Sequence, residues 1–241
     1  MKVSVIIPAA GASRRFGGKT KKIFERLKGR AVFIRSLELF VNRPDVCQVQ
    51  LVVAAEDMET MQARFGANLG FMGVKLVTGG AERTDSVRNA LEHVAEEAEY
   101  ICVHDAVRPC VSPLWIDAVF AAAARTGAAI LAYPVHGTLK KANAQGRIVE
   151  TVDRRDLWEA QTPQVFRKEL LLRAYARAGG RATDDAALVE ALGQPVCVVR
   201  GDPRNVKITT RSDLALAAAV VDSLPRPSRP APAGPFDEAR W

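Results

Sequence analysis

Short runs of continuous apolar residues alternate along this chain with stretches of helical apolar spacing, and no other feature limits the fold as much. Val3 to Ile7 is a β-branched run that Pro8 ends, and helical spacing follows from Ala31 to Phe40. The same reading gives strands at Gln50 to Ala54, Val74 to Val77, Tyr100 to Val103, Ala128 to Val135, Gln164 to Phe166 and Val196 to Val199. Helices are expected at Met58 to Phe65, Thr84 to Ala98, Lys168 to Ala178, Asp184 to Leu192 and Ser212 to Leu224. One more opens at Pro113, with Ser112 as its cap, and runs to Arg125. Strands without polar alternation must be covered on both faces. The pattern therefore predicts an α/β fold: a single doubly wound, mostly parallel sheet with helices on both faces.

The rhythm breaks between His136 and Thr151, where Asn143 and Gly146 are turn signals, so a protruding β-hairpin arm is expected at about 136–152. A chain of 241 residues holds one large or two small domains. No compositional shift precedes Pro225, so one domain over 1–224 is expected, with a disordered tail over 225–241, where five prolines fall within eleven residues.

Apolar residues make up 48% of the chain, yet no apolar run approaches the roughly 18 residues that would span a bilayer. The apolar N-terminal run is short, ends at Pro8 and is soon followed by arginines, so it reads as a first strand rather than a signal peptide. The four cysteines form no CxxC pair and no cluster with histidine, which removes a zinc site or disulfide framework and leaves a reducing cytoplasm as the expected compartment. A net charge of +7 calls for an anionic partner. Nine basic residues face one acidic residue, Glu25, between Lys2 and Arg30, so the anion site is local. That stretch has no interleaved aromatics and matches no recognised module, which argues against nucleic acid.

The segment PAAGASRRFGGKTKK, residues 8–22, carries the chemistry. Ala9, Ala10 and Gly11 let a ligand approach the backbone, and Arg14, Arg15, Lys19, Lys21 and Lys22 supply cations at the carboxyl end of the first strand, where open α/β sheets bind ligands. A polyphosphate fits. The run SRRFGGKT nearly spells a P-loop, with Asp105 able to act as its second motif, but Ser13 replaces the first glycine and two arginines crowd the loop interior.

The better match is to the sugar and polyol nucleotidyltransferases. GGAERTDSV (79–87), VHDAVRP (103–109), GTLKK (137–141), TVDR (151–154), TPQVF (162–166), TDD (183–185) and NVKIT (205–209) follow in an order that closely resembles the 2-C-methyl-D-erythritol 4-phosphate cytidylyltransferases, over residues 3 to about 221. The resemblance implies that the enzyme uses CTP and a polyol phosphate. It assigns Arg15 and Lys22 to the triphosphate and Ala9, Ala10, Gly11, Gly80, Arg83, Ser86 and Asp105 to the cytidine side. It assigns Asp105, Arg108, Thr138, Arg154, Thr183 and Lys207 to the polyol phosphate, with Arg15, Lys22, Arg154 and Lys207 as the catalytic set. It also implies a homodimer whose arm reaches the neighbouring site. Mg²⁺ held mainly by the nucleotide phosphates is expected, because a phosphate nucleophile must approach four negative charges. That nucleophile is already ionised, so no general base is needed and His104 reads as a packed structural residue. Trp158 and Phe166 read as core, and Arg155 and Lys140 as surface charges.

Two positions depart from the family pattern. Lys21 replaces the proline usual before the lysine, which puts Lys21 in competition with Lys22 for its role. Gly137 stands in place of an acidic residue before the arm threonine, which keeps ribitol 5-phosphate as an alternative acceptor. A nucleotide-binding protein without turnover is the alternative outside the enzymes.

Overall fold

The computed structural model describes residues 1–13, 15–17, 20–178 and 182–227. Arg14, Gly18 and Lys19 of the basic loop, and residues 228–241 of the expected tail, lie outside the described residues.

In chain order the elements are β1 (Val3–Pro8), β2 (Arg26–Leu27), β3 (Arg30–Ala31), α1 (Val32–Glu38), β4 (Val46–Val53), α2 (Met58–Phe71), β5 (Val74–Thr78), α3 (Arg83–Leu91) and β6 (Tyr100–Val103). There follow α4 (Pro113–Thr126), β7 (Ala128–Pro134), β8 (Leu139–Ala142), β9 (Ile148–Val152), β10 (Trp158–Arg167), α5 (Lys168–Arg177), α6 (Asp185–Glu190), β11 (Cys197–Arg200) and α7 (Arg211–Val220). Seven strands form one sheet in the order β11-β7-β10-β6-β1-β4-β5. β10 runs antiparallel to both of its neighbours, and every other pair in the sheet is parallel. The fold is the mostly parallel α/β sheet that the alternation predicts.

Successive residues of β1 face opposite sides, so Val3, Val5 and Ile7 enter a core with Phe33, Leu37, Met61 and Phe120, while Ile6 enters a second core with Val87, Phe166, Leu171 and Val189. Helices α1, α2, α4 and α7 cover the first face and α3, α5 and α6 the second. The start of α4 is as read: Ser112 Oγ accepts from Leu114 N, and Gly127 at φ 85° ends the helix. The hairpin β8–β9 is the arm, its turn closed by Asn143 Oδ1, which accepts from Gln145 N and Arg147 N.

Several boundaries differ from expectation for identifiable reasons. α3 stops at Leu91 rather than Ala98, because Glu92, Glu96, Glu97 and Glu99 would set like charge against the negative end of the helix dipole. β4 starts at Val46 and α2 runs to Phe71. β10 covers ten residues, of which only Gln164 to Phe166 was legible; its first half is the polar WEAQT, paired with the end of β7. Trp158, expected in the core, is 42% exposed at the start of this strand, whereas Phe166 is fully buried.

Candidate active site

The chain leaves β1 for β4 on one side and places β6 on the other, so the switch point of the sheet lies between β1 and β6. A cavity of about 350 Å³ opens there, at the carboxyl ends of the strands. The loop after β1 stays tethered through Ala9 N, which donates to Val52 O at 2.7 Å. Among the described residues a side chain at Gly11 would meet no atom within 4 Å, so their packing does not demand this glycine; the free space over its backbone is room for a ligand.

The opposite wall is the start of α3. A capping box formed by Glu82 and Asp85 ends the chain's extended run there. Ser86 Oγ accepts from Gly80 N at 3.2 Å and donates to Glu82 O at 3.1 Å, which curls the glycine turn over the helix. A Cβ on Gly79 would stand 2.7 Å from Ser86 Oγ and 2.8 Å from Ala10 Cβ, so this glycine lets the two walls meet. The sequence reading singled out Gly80 and passed over Gly79; the glycine doublet was the available signal.

The floor follows β6. His104 is fully buried: its Nδ1 lies 3.0 Å from Thr162 Oγ1 and its Nε2 3.0 Å from Arg108 O. Arg108 O can only accept, so His104 carries its proton on Nε2, and Thr162 Oγ1, which accepts from Asp105 N at 3.1 Å, donates its hydroxyl proton to Nδ1. Burial lowers the His104 pKa from 6.5 to about 4. The unfolded chain therefore takes up a proton as pH falls through 6.5, whereas the folded chain does so only near 4. We expect about 3 kcal/mol of stability, present above pH 6.5, to be lost on the way down to pH 4. Urea midpoints across this range check it: His104→Gln should lose that part of the pH dependence, and an unchanged profile would refute the assignment.

Asp105 meets three cations. Lys207 Nζ is 2.7 Å from Oδ2, with Arg108 Nε and Arg83 Nε at 3.5 Å. Burial alone would raise this carboxyl, but the charges of Lys207, Arg83 and Arg108 hold it far below the usual carboxylate range. Arg83 also bridges to Asp185 at 2.7 Å, and the Tyr175 hydroxyl donates to the same carboxylate at 2.5 Å. Lys207 is delivered by a segment that Arg108 and Asn205 secure: Arg108 Nη1 donates to Asn205 O, and Asn205 Nδ2 to Thr162 O.

Lys22 enters the cavity from the loop before α1. Among the described residues it has no carboxylate within ion-pair distance. Burial lowers its ammonium below the ordinary lysine value, and the charges of Lys207 and Arg15 push it the same way. Unpaired positive charge gathered in a half-buried cavity is an anion site. Lys21 is occupied elsewhere, on Asp57 and Glu56.

Ala9, Ala10, Gly11, Lys22, Gly80, Arg83, Ser86, Asp105 and Lys207 thus surround one cavity. Arg108 and Thr183 line a second cavity of about 180 Å³, which shares Arg83, Asp105 and Lys207 with the first. Gln161, Thr162, Gln164 and Asp184 line it too, none of them singled out by the sequence reading as site residues. Arg15 is exposed and outside the cavity lining. Thr138 and Arg154 are exposed on and beside the arm and line neither cavity, as do the surface charges Lys140 and Arg155. No cluster of three His, Cys, Asp or Glu side chains that could hold a metal occurs among the described residues, and the Asp105 carboxylate is engaged by cations.

Fold and site together define a nucleotidyltransferase of the α/β type. Residues 3–223 match the family described as IspD, 2-C-methyl-D-erythritol 4-phosphate cytidylyltransferase. The protein of that name from Rhodopirellula baltica is 45% identical over 232 residues, covering 91% of this chain and 95% of its own. Its counterpart from Symbiobacterium thermophilum is 44% identical over 91% of this chain and 93% of its own. The crystal structure of the Thermus thermophilus enzyme aligns with a TM-score of 0.75 at 35% identity, over 92% of this chain and 100% of the other. The chain belongs to the 2-C-methyl-D-erythritol 4-phosphate cytidylyltransferase family.

Proposed function

We propose that this protein transfers the cytidylyl group of CTP to 2-C-methyl-D-erythritol 4-phosphate, giving 4-diphosphocytidyl-2-C-methyl-D-erythritol and pyrophosphate, a step of isoprenoid precursor synthesis by the non-mevalonate route. The observation that carries this reading is Lys22, half-buried and without a carboxylate partner among the described residues, in a cavity that also offers bare backbone at Gly11. Cytidine occupies the space between Ala9–Ala12 and Gly80–Ser86, with the triphosphate toward Lys22 and Arg15. The polyol phosphate enters the smaller cavity beside Arg108, Thr183 and Lys207. An oxygen of its phosphate attacks the α-phosphorus, the bond to the pyrophosphate oxygen breaks, and Lys22 with Arg15 stabilises the charge that gathers on the α-phosphate and the leaving group.

The nucleotide phosphates, rather than side chains of this chain, would hold Mg²⁺, which would supply neutralisation of the triphosphate charge. Thr138 and Arg154 reach a polyol phosphate by way of the arm, in a homodimer with shared sites. Residues 1–224 act as one catalytic domain, in keeping with the extent of the family match. The compartment proposed is the cytoplasm; among the described residues no helix is long and apolar enough to cross a membrane.

Incubating the protein with CTP, Mg²⁺ and either methylerythritol phosphate or ribitol 5-phosphate, while following pyrophosphate, tests the reading. Release is expected with the first acceptor. Release with ribitol phosphate alone moves the substrate assignment, and release with neither ends it.

A further inference from the structure

Lys22 poses a mechanical problem. Its ammonium is half-buried, and burial together with repulsion from Lys207 and Arg15 outweighs the more distant attraction of Asp105 and Asp213, so that, with no ion pair among the described residues, it tends toward solvent. Something must hold the backbone that carries it.

The preceding residue does so. Lys21 extends its ammonium to Asp57 Oδ2 at 2.6 Å and Glu56 Oε1 at 3.0 Å. Asp57 is only 7% exposed, and among the described residues Lys21 alone is seen to hydrogen-bond its carboxylate. It sits in the corner between β4 and α2, with its N–H donating to Ala54 O, and Ala54 and Glu56 line the cavity. The pair therefore joins the residue before Lys22 to a rigid edge of the same cavity. Burial alone would lower the Lys21 ammonium, but the hydrogen bonds it donates to Asp57 and Glu56 raise it above its ordinary value, the reverse of Lys22. Two adjacent lysines have opposite tasks.

The backbone at Lys21 is informative in its own right. Its φ of −64° is the angle that a proline ring imposes, its ψ of 141° is one that proline accepts, and among the described residues its N–H donates to no acceptor. Its carbonyl accepts from Phe24 N at 3.0 Å, starting the short turn that carries Lys22.

We propose that Lys21 is a positioning residue: its ion pair with Asp57 and Glu56 fixes the backbone entering Lys22, a task that a proline at the same position would perform through its ring. This rests on the reading of Lys22 as the triphosphate cation. Lys21 itself touches no substrate.

The test uses Lys21→Ala, Lys21→Pro, Asp57→Asn and, in parallel, Lys22→Ala, with CTP and methylerythritol phosphate as substrates. Misplacing one catalytic group by a fraction of the distance that costs a hundredfold should lower kcat of Lys21→Ala by about tenfold, with KM for the polyol phosphate unchanged. Asp57→Asn should match it. Lys21→Pro should return kcat to within about twofold of the parent, because the φ restraint replaces the ion pair, and Asp57→Asn added to it should cost no further rate. An inactive Lys21→Pro that melts like the parent would overturn the proposal, since the ammonium would then be needed in its own right. Full activity in Lys21→Ala would overturn it as well. If Lys21→Pro does not fold, the double variant Lys21→Ala/Asp57→Asn decides: the proposal requires it to be no slower than either single variant, and additive losses refute it. Normal turnover in Lys22→Ala would instead remove the reading beneath it, so the two failures are told apart.

Discussion

Replacing Lys22 with alanine should lower turnover by about 10²–10³-fold, or about 3–4 kcal/mol of transition-state stabilisation, while leaving the protein as stable as before. The two halves of this expectation have the same origin. An ammonium that is half-buried, crowded by Lys207 and Arg15, and without an ion-pair partner among the described residues makes no net favourable contribution to folding, the attraction of Asp105 and Asp213 being outweighed. Under the proposed function its position is tolerable because the triphosphate occupies it. Removal therefore relieves repulsion in the empty site and exposes the charge that develops on the phosphates once substrates are bound. Steady-state pyrophosphate release together with a melting curve checks both parts. A variant that keeps kcat within a few-fold of the parent, or one that melts many degrees lower, would contradict the role given to Lys22.

Asp105→Asn should show the opposite balance, with stability and activity falling together. Asp105 is a buried carboxylate shared by Lys207, Arg83 and Arg108, and removing its charge leaves the buried Arg108 and half-buried Arg83 repelling each other and Lys207. Breaking one partner out of a buried charge cluster costs about 3–5 kcal/mol, which for a chain of this size lowers Tm by about 6–20 °C. Arg83 suffers least, because it retains Asp185; Arg108 suffers most, since it is buried and Asp105 is its only ion-pair partner among the described residues, whereas Lys207 is exposed enough to turn to water. The sign with pH follows from the depressed carboxyl. Its stabilisation is present above the ordinary carboxylate pKa of about 4 and is lost as pH falls through the lower folded value. The difference between parent and variant should therefore narrow as pH drops below 4, and a difference that stays constant into acid would show that Asp105 acts by shape rather than charge.

The sheet was largely legible because most of its strands announce themselves. Tyr100 to Val103 is apolar on both faces and flanked by polar turns, and the Ser112-Pro113 pair marks a helix start through chemistry that is purely local. β10 was legible only over Gln164 to Phe166. Its outer half, beginning at Trp158, runs beside the end of β7 with polar side chains, so neither alternation nor an apolar run reveals it. The residues that line the larger cavity, Lys22 among them, were readable because they sit in short motifs beside the ends of strands. Asp185, Tyr175, Gln161 and Gln164 were not, since their relevance comes from chain segments that meet only in space: Asp185 faces Arg83 across 102 positions of sequence. The ambiguity between Lys21 and Lys22 was also beyond sequence, because a lysine run does not show which member finds Asp57.

The order in which the cavity walls appear along the chain has a consequence for inheritance. Apart from Lys207, the lining of the larger cavity, proposed for the nucleotide, is complete by Val107, whereas most of the smaller cavity, proposed for the acceptor, comes from residues 160–207, and the two share Arg83, Asp105 and Lys207. A lineage could thus exchange its alcohol by rewriting the later half alone, keeping the donor grip intact, with Asp105 as the hinge on which old and new specificity would have to agree.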